Sequence, residues 1–177
     1  MKKTSASIRY AKALFALALA SGQTEDVLKD LKMINQTINK EVPLINLISN
    51  PTITRTIKQN VFKKLFVDKI NKTTGRFLSL IIKKRRESFL LDIIEKYQQT
   101  YNAHHNISVV EIISAKALSD ETKESIKQKM SLQGGVVELK QRIDPNLIGG
   151  FIIKRGDFQY DTTIRRKLNN AKRAFKL

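Results

Sequence analysis

Apolar residues return at helical intervals through the first hundred positions of the chain and then change rhythm. Ile8, Ala11, Phe15 and Ala18 form one stripe, and Tyr10, Ala13 or Leu14, and Leu17 form another. The helix they predict, from about Ser5 to Ala20, is therefore apolar over more than one face. Gly22 suits its C-terminal cap. A second helix follows Thr24, with Glu25 and Asp26 near its positive end and a seam at Val27, Leu31, Ile34 and Ile38. Pro43 and Pro51 bracket a short helix from about Leu44 to Ile48. Ile57, Val61 and Leu65 mark a fourth, Phe77 to Ile82 a fifth, and Leu90 to about Ala103 a sixth. Short helices with brief connections imply antiparallel packing into a six-helix bundle.

Near His104, His105 and Asn106 the period shortens. Ile107 to Ala115 is rich in β-branched residues, as strands are. Ser119 is placed to cap a helix whose inner face is Ile126 and Met130, ended by Gly134 and Gly135. Val137, Leu139 and Ile143 share one face of the next strand, while Glu138, Lys140 and Arg142 share the other. Asp144-Pro145 is a turn signal, and Gly149-Gly150 frees the backbone before the strand Phe151-Ile152-Ile153. Gly156-Asp157 reads as a hairpin turn into Phe158-Gln159-Tyr160. Asp161 or Thr162 then caps a helix with Ile164, Leu168, Ala171 and Phe175 on one face. The fold class expected is mixed α and α+β: a helical bundle over residues 1–105, then a small α/β domain over 106–177.

Charge changes this picture little. Lys and Arg number 33 against 16 acids, a net +17 that prompts a nucleic-acid hypothesis. Residues 1–105 hold 19 bases and 8 acids, and residues 106–177 hold 14 and 8, so the excess is spread along the chain. Lys83-Lys84-Arg85-Arg86 ends a helix, where cations complement the dipole. Arg165, Arg166, Lys167, Lys172 and Arg173 lie opposite an apolar stripe, as a solvated face does. Neither cluster has the interleaved aromatics of a single-strand platform. A basic nucleic-acid-binding adaptor is the alternative that the charge alone supports.

Catalytic chemistry is hard to place. The chain has no Cys, no P-loop, no dinucleotide fingerprint and no Gly-x-Ser-x-Gly elbow. Its two His residues are adjacent and point differently on a helix, which argues against a shared metal. Arg155-Gly156-Asp157 spells an adhesion tripeptide but sits where a hairpin turns. Lys2 and Lys3 before the run Ala13 to Ala20 imitate a secretory signal or a transit peptide. Arg9 and Lys12 interrupt it, so a mature amphipathic helix is the expectation. No apolar run reaches the roughly 18 residues needed to cross a bilayer.

Three segments in order carry a resemblance. Asp144 to Leu168 resembles the C-terminal signature of the delta subunit of bacterial F-type ATP synthases, the family of the mitochondrial oligomycin-sensitivity-conferring protein. Ser7 to Ala18 resembles that family's opening helix, and Ile112 to Ser119 its link from first strand to helix in the C-terminal domain. The resemblance implies a non-catalytic stator subunit without cofactor or metal. It is expected to be monomeric alone, present once per complex, and peripheral on the cytoplasmic face of the bacterial plasma membrane. Its implied partners are the N-termini of alpha subunits, gripped by the first domain, and the C-terminal ends of the b subunits, gripped by the second. A groove between the first and fifth helices would receive an alpha-subunit helix through Tyr10, Leu14, Leu17, Phe77, Leu80 and Ile81, with Tyr10 and Leu80 partly exposed in the free protein. Asp144, Gly149, Gly150, Gly156 and Asp161 are the structural signature of the second domain.

Overall fold

The computed structural model describes residues 2–66, 68–131, 135–156 and 158–174. Its contacts divide the chain into two compact units, Met1–Tyr101 and Asn102–Leu177. In the first lie α1 (Lys2–Ala20), α2 (Thr24–Lys40), α3 (Val42–Ser49), α4 (Arg55–Phe66) and α5 (Lys72–Lys83). A 3₁₀ turn (Glu87–Phe89) leads into α6 (Leu90–His104), which runs on past the boundary. The second unit contains β1 (Ile107–Ser114), α7 (Asp120–Ser131), β2 (Val136–Ile143), β3 (Phe151–Arg155), β4 (Phe158–Asp161) and α8 (Ile164–Ala174).

Local chemistry sets the helix ends. Gly22 adopts φ +65°, and the Gly22 and Gln23 amides donate back to Leu19 and Ala18, closing α1. Asn71 caps α5 by accepting from the Thr73 amide at 3.0 Å. Asp30 of α2 reinforces that start, accepting from the Asn71 amide at 2.8 Å and the Thr74 hydroxyl at 2.7 Å. A carboxylate at the positive end of α5 thus ties two helices together.

The first unit is built on one continuous core. Val27, Leu31, Ile34 and Ile38 of α2 are fully buried and meet Phe77, Leu78, Ile81 and Ile82 of α5 and Ile93, Ile94 and Tyr97 of α6 in it. In α4 the expected seam shifts by one residue. Ile57 is exposed and Val61 and Leu65 are only half-buried, whereas Lys58, Phe62 and Phe66 face inward. Two Phe rings hide more apolar surface than the smaller residues. Lys58 follows them because its ammonium pairs with buried Glu87.

In the second unit the strand order is β2-β1-β3-β4. β1 pairs parallel with β2 across α7 and antiparallel with β3, which pairs antiparallel with β4. α7 starts where expected: the Thr122 amide donates to the Ser119 hydroxyl. Val110, Ile112, Ile126, Val137 and Ile153 make its small core. Ile143 shares a strand face with Val137 but is exposed, because the strand has run beyond the core. The cap of α8 also differs from expectation. Thr163 supplies it, accepting from the Arg166 amide at 3.3 Å, while Asp161 accepts from the Thr163 amide and Thr162 turns back to the Phe151 carbonyl. Gly134, Asp157 and Phe175 lie outside the described residues.

Candidate partner-binding surfaces

Burial on α1 cuts across the two stripes. Ala11, Leu14, Phe15 and Ala18 sit in the core, and Tyr10 packs against it half-buried. Ile8, Leu17 and Leu19 are exposed, Leu17 by 56%. Tyr10 and Leu17 stand two turns apart and so share one outward line. On α5, Phe77 and Ile81 are buried while Leu80 is 44% exposed. The six expected docking residues therefore form two sets. Leu14, Phe77 and Ile81 belong to one core cluster and are buried, since a small core needs its largest inward-facing groups for itself. Tyr10, Leu17 and Leu80 remain at the surface, available to a partner.

Tyr97 of α6 holds this arrangement from beneath. Its ring meets Phe15 of α1 edge-on at 5.7 Å, and its hydroxyl donates to the Thr24 carbonyl of α2 at 3.1 Å. Burial, with a smaller contribution from Tyr101, pushes its phenol up to about 12. The ring thereby pins three helices and fixes the inner side of α1.

A second depression was not expected. It lies on the α4 side of α5, with a volume of about 430 Å³, and is lined by Phe62, Ile70, Leu78 and Ile82 with Lys63 and Arg76. The signal for it was available in Gly75 and Ser79, small residues one turn apart that leave this side of α5 low. The basic run after α5 is structural: Arg85 turns the chain at φ +54°, Arg86 lies over the Phe89 ring at 5.3 Å, and Glu87 dives inward to Lys58.

In the second unit the signature residues brace one another. The Asp144 carboxylate accepts from the Asn146 amide at 3.0 Å, closing the turn after β2. The Gly149 carbonyl accepts from the Ile164 amide at 3.1 Å. Gly150 has φ +80°, and a Cβ there would lie 2.5 Å from the Thr162 carbonyl oxygen. Gly is required twice over at that position, by dihedral and by space. Gly156 turns the β3–β4 hairpin at φ +56°. Asp161 is held below the usual carboxylate range, first by the Thr163 amide and then by the Thr163 side chain. These residues join β3, β4 and α8, and none forms a ligand cavity with the others. Among the described residues no three His, Asp or Glu side chains gather as a metal site, and no helix is long and apolar enough to cross a membrane.

Residues 6–175 match the family described as ATP synthase delta (OSCP) subunit. The chain is similar to ATP synthase subunit delta of Cytophaga hutchinsonii, 31% identical over 99% of this chain and 96% of that one. It is also similar to ATP synthase subunit delta of Carboxydothermus hydrogenoformans, 33% identical over 98% of both. In fold it resembles a chain in the cryo-EM structure of the Toxoplasma gondii mitochondrial ATP synthase hexamer, with a TM-score of 0.76, 19% identity and 97% of each chain covered.

Proposed function

The chain belongs to the ATP synthase delta (OSCP) subunit family, and from that premise we propose how its two units divide the work of a stator. It is a non-catalytic peripheral-stalk subunit of an F-type ATP synthase, peripheral to the membrane. The helical unit, read as an antiparallel six-helix bundle, grips the catalytic head by receiving the N-terminal helix of an alpha subunit. The α/β unit grips the C-terminal ends of the b subunits. One copy, on the cytoplasmic face of the bacterial membrane, links the two and resists rotation of the head with the shaft.

The observation that carries the head-binding assignment is the outward trio Tyr10, Leu17 and Leu80, set on helices whose inner faces are already sealed. An amphipathic helix laid across such residues buries apolar surface on both partners, the helix-in-groove mode. Leu14, Phe77 and Ile81 then serve as the packed floor that keeps the trio in place.

Calorimetric titration of the full chain with an alpha-subunit N-terminal peptide tests this. Wild type is expected to bind. Tyr10→Ala costs about 1–3 kcal/mol of binding. Leu80→Asp costs more, because it strands a carboxylate in a dry contact. Both leave thermal unfolding nearly unchanged. Absence of wild-type binding, or variants that melt early and bind normally once folded, overturns the site.

A further inference from the structure

The depression on the α4 side of α5 has a chemistry that the proposed stator contacts do not use. Its floor is apolar: Phe62, Leu78 and Ile82 are buried and Ile70 is half-buried. Its rim is cationic on both walls, with Lys63 on α4 and Lys72 and Arg76 one turn apart on α5, all three exposed. No carboxylate lines it. Among the described residues none of the three cations forms an ion pair. Asp30, the carboxylate at the start of α5, is taken up by the Asn71 amide and the Thr74 hydroxyl. Like charges four residues apart on a helix repel, so an anion beside Lys72 and Arg76 relieves them. Gly75 supplies the room. A glycine inside a helix weakens it relative to alanine. Yet a Cβ here would meet Ile70 Cδ1 at 3.8 Å and nothing closer, an ordinary contact. Packing within the unit does not require this glycine, and what it leaves is space.

We infer that this depression binds a small anionic amphiphile, a short apolar body bearing one carboxylate or phosphate. The body lies on the Phe62, Ile70 and Ile82 floor, and the head sits among Lys63, Lys72 and Arg76. Size, polarity and charge each select such a ligand. The volume of about 430 Å³ lies within the roughly 300–1,000 Å³ of small-molecule sites, which are mostly apolar with a few convergent polar groups. An inorganic anion would leave the apolar floor wet, and a neutral apolar molecule would leave three cations unmatched. The walls are α4, α5 and the residues Ile70 and Asn71 that lead from one to the other. That connection closes one end, which suits a compact molecule better than a helix running through. The outward trio Tyr10, Leu17 and Leu80 shares no residue with this lining, so the site is separate from the proposed head-docking surface.

The test titrates the full chain with octanoate by calorimetry, with octanol, octylammonium and acetate as controls. Octanoate is expected to bind once per chain and to raise the melting temperature. Octanol and acetate bind about tenfold more weakly or worse, and octylammonium does not bind. The double change Lys72→Gln with Arg76→Gln weakens octanoate binding about tenfold and flattens its salt dependence. Gly75→Leu fills the depression and abolishes binding, while Gly75→Ala melts no lower than wild type. If Gly75→Leu itself melts early, the double variant, whose two positions are exposed, decides alone. Octanol binding as tightly as octanoate, several octanoates per chain, or octanoate binding untouched by the variants overturns the site. So does adsorption to vesicles of anionic phospholipid without uptake of free octanoate, which makes the rim a headgroup surface. An alpha-subunit N-terminal peptide that loses binding in these variants, again with no octanoate uptake, assigns the depression to a polypeptide and overturns it too.

Discussion

The helical unit buries twenty-one apolar residues in one cluster among the described residues, whereas the α/β unit buries five in its own. The contrast does not come from composition, since both stretches contain runs of Ile, Leu and Val. It comes from architecture. Helices packed on one core bury their inner residues against one another, so what stays outside is scattered: Leu17 here, Leu80 there. A four-stranded sheet with one helix on a face leaves Phe158 and Tyr160 exposed side by side, uncovered by any described residue of the unit. A closed core leaves isolated apolar residues outside, and an open face leaves neighbouring ones exposed together.

The largest expected effect probes the closed core. Lys58 and Glu87 form an ion pair with side chains 2% and 11% exposed, and the Glu87 Oε2 oxygen has no partner. Glu87→Leu leaves the ammonium buried alone and costs about 3–5 kcal/mol, read from urea unfolding. The double change Lys58→Met with Glu87→Leu recovers most of that loss, because the pocket is then simply apolar. If the single variant is neutral, the core is less dry than its burial indicates, and the contrast between units weakens.

A middle-sized effect belongs to the second unit. Gly150→Ala forces an L side chain into φ +80° and drives its Cβ against the Thr162 carbonyl, at a cost of about 1–3 kcal/mol. Calorimetry of the full chain should show one transition moving and the other staying, if each unit melts on its own core. Coincident movement of both would mean the units fold as one. The smallest effect is acid-dependent. Asp161 titrates below its ordinary value when folded, so its contribution is present above that value and fades as pH falls through the depressed one. Asp161→Asn should flatten this slope in unfolding measured below about pH 4, the ordinary carboxylate range.

Much of this was legible in the residues, and the misses share a cause. The α2 seam, the fold-back at Gly22 and the Ser119 cap are local, set by neighbours within a turn, and the structure shows each where the pattern put it. The α4 face went wrong because burial of Lys58 depends on Glu87, twenty-nine positions away, which periodicity cannot see. The α8 cap went to Thr163 because Thr162 was needed to reach Phe151 across the hairpin. The exposure of the proposed docking trio was half visible. A doubly apolar α1 shows that more than one face is apolar, but which residues turn inward is decided by contacts such as that of Tyr97 with Phe15 from different helices. Phe158 and Tyr160 read as ordinary strand residues, since a pattern of alternation marks a face without telling whether anything lies on it.

The junction of Gly149, Gly150 and Thr162 acquires another meaning once force is considered. β3 and β4 form a hairpin whose open end lies where Phe151 faces Thr162, and α8 leaves from that end. A pull on α8 away from the sheet would peel β4 bond by bond, the easiest way to separate paired strands. The first bonds to feel that load are Ile164 amide to Gly149, Thr162 amide to Phe151 and Thr162 hydroxyl to the same carbonyl, three within a few residues. The tight glycine pair lets them sit side by side. It acts as a rivet at the point where tearing would begin, as suits a component whose task is to stand still while something else turns.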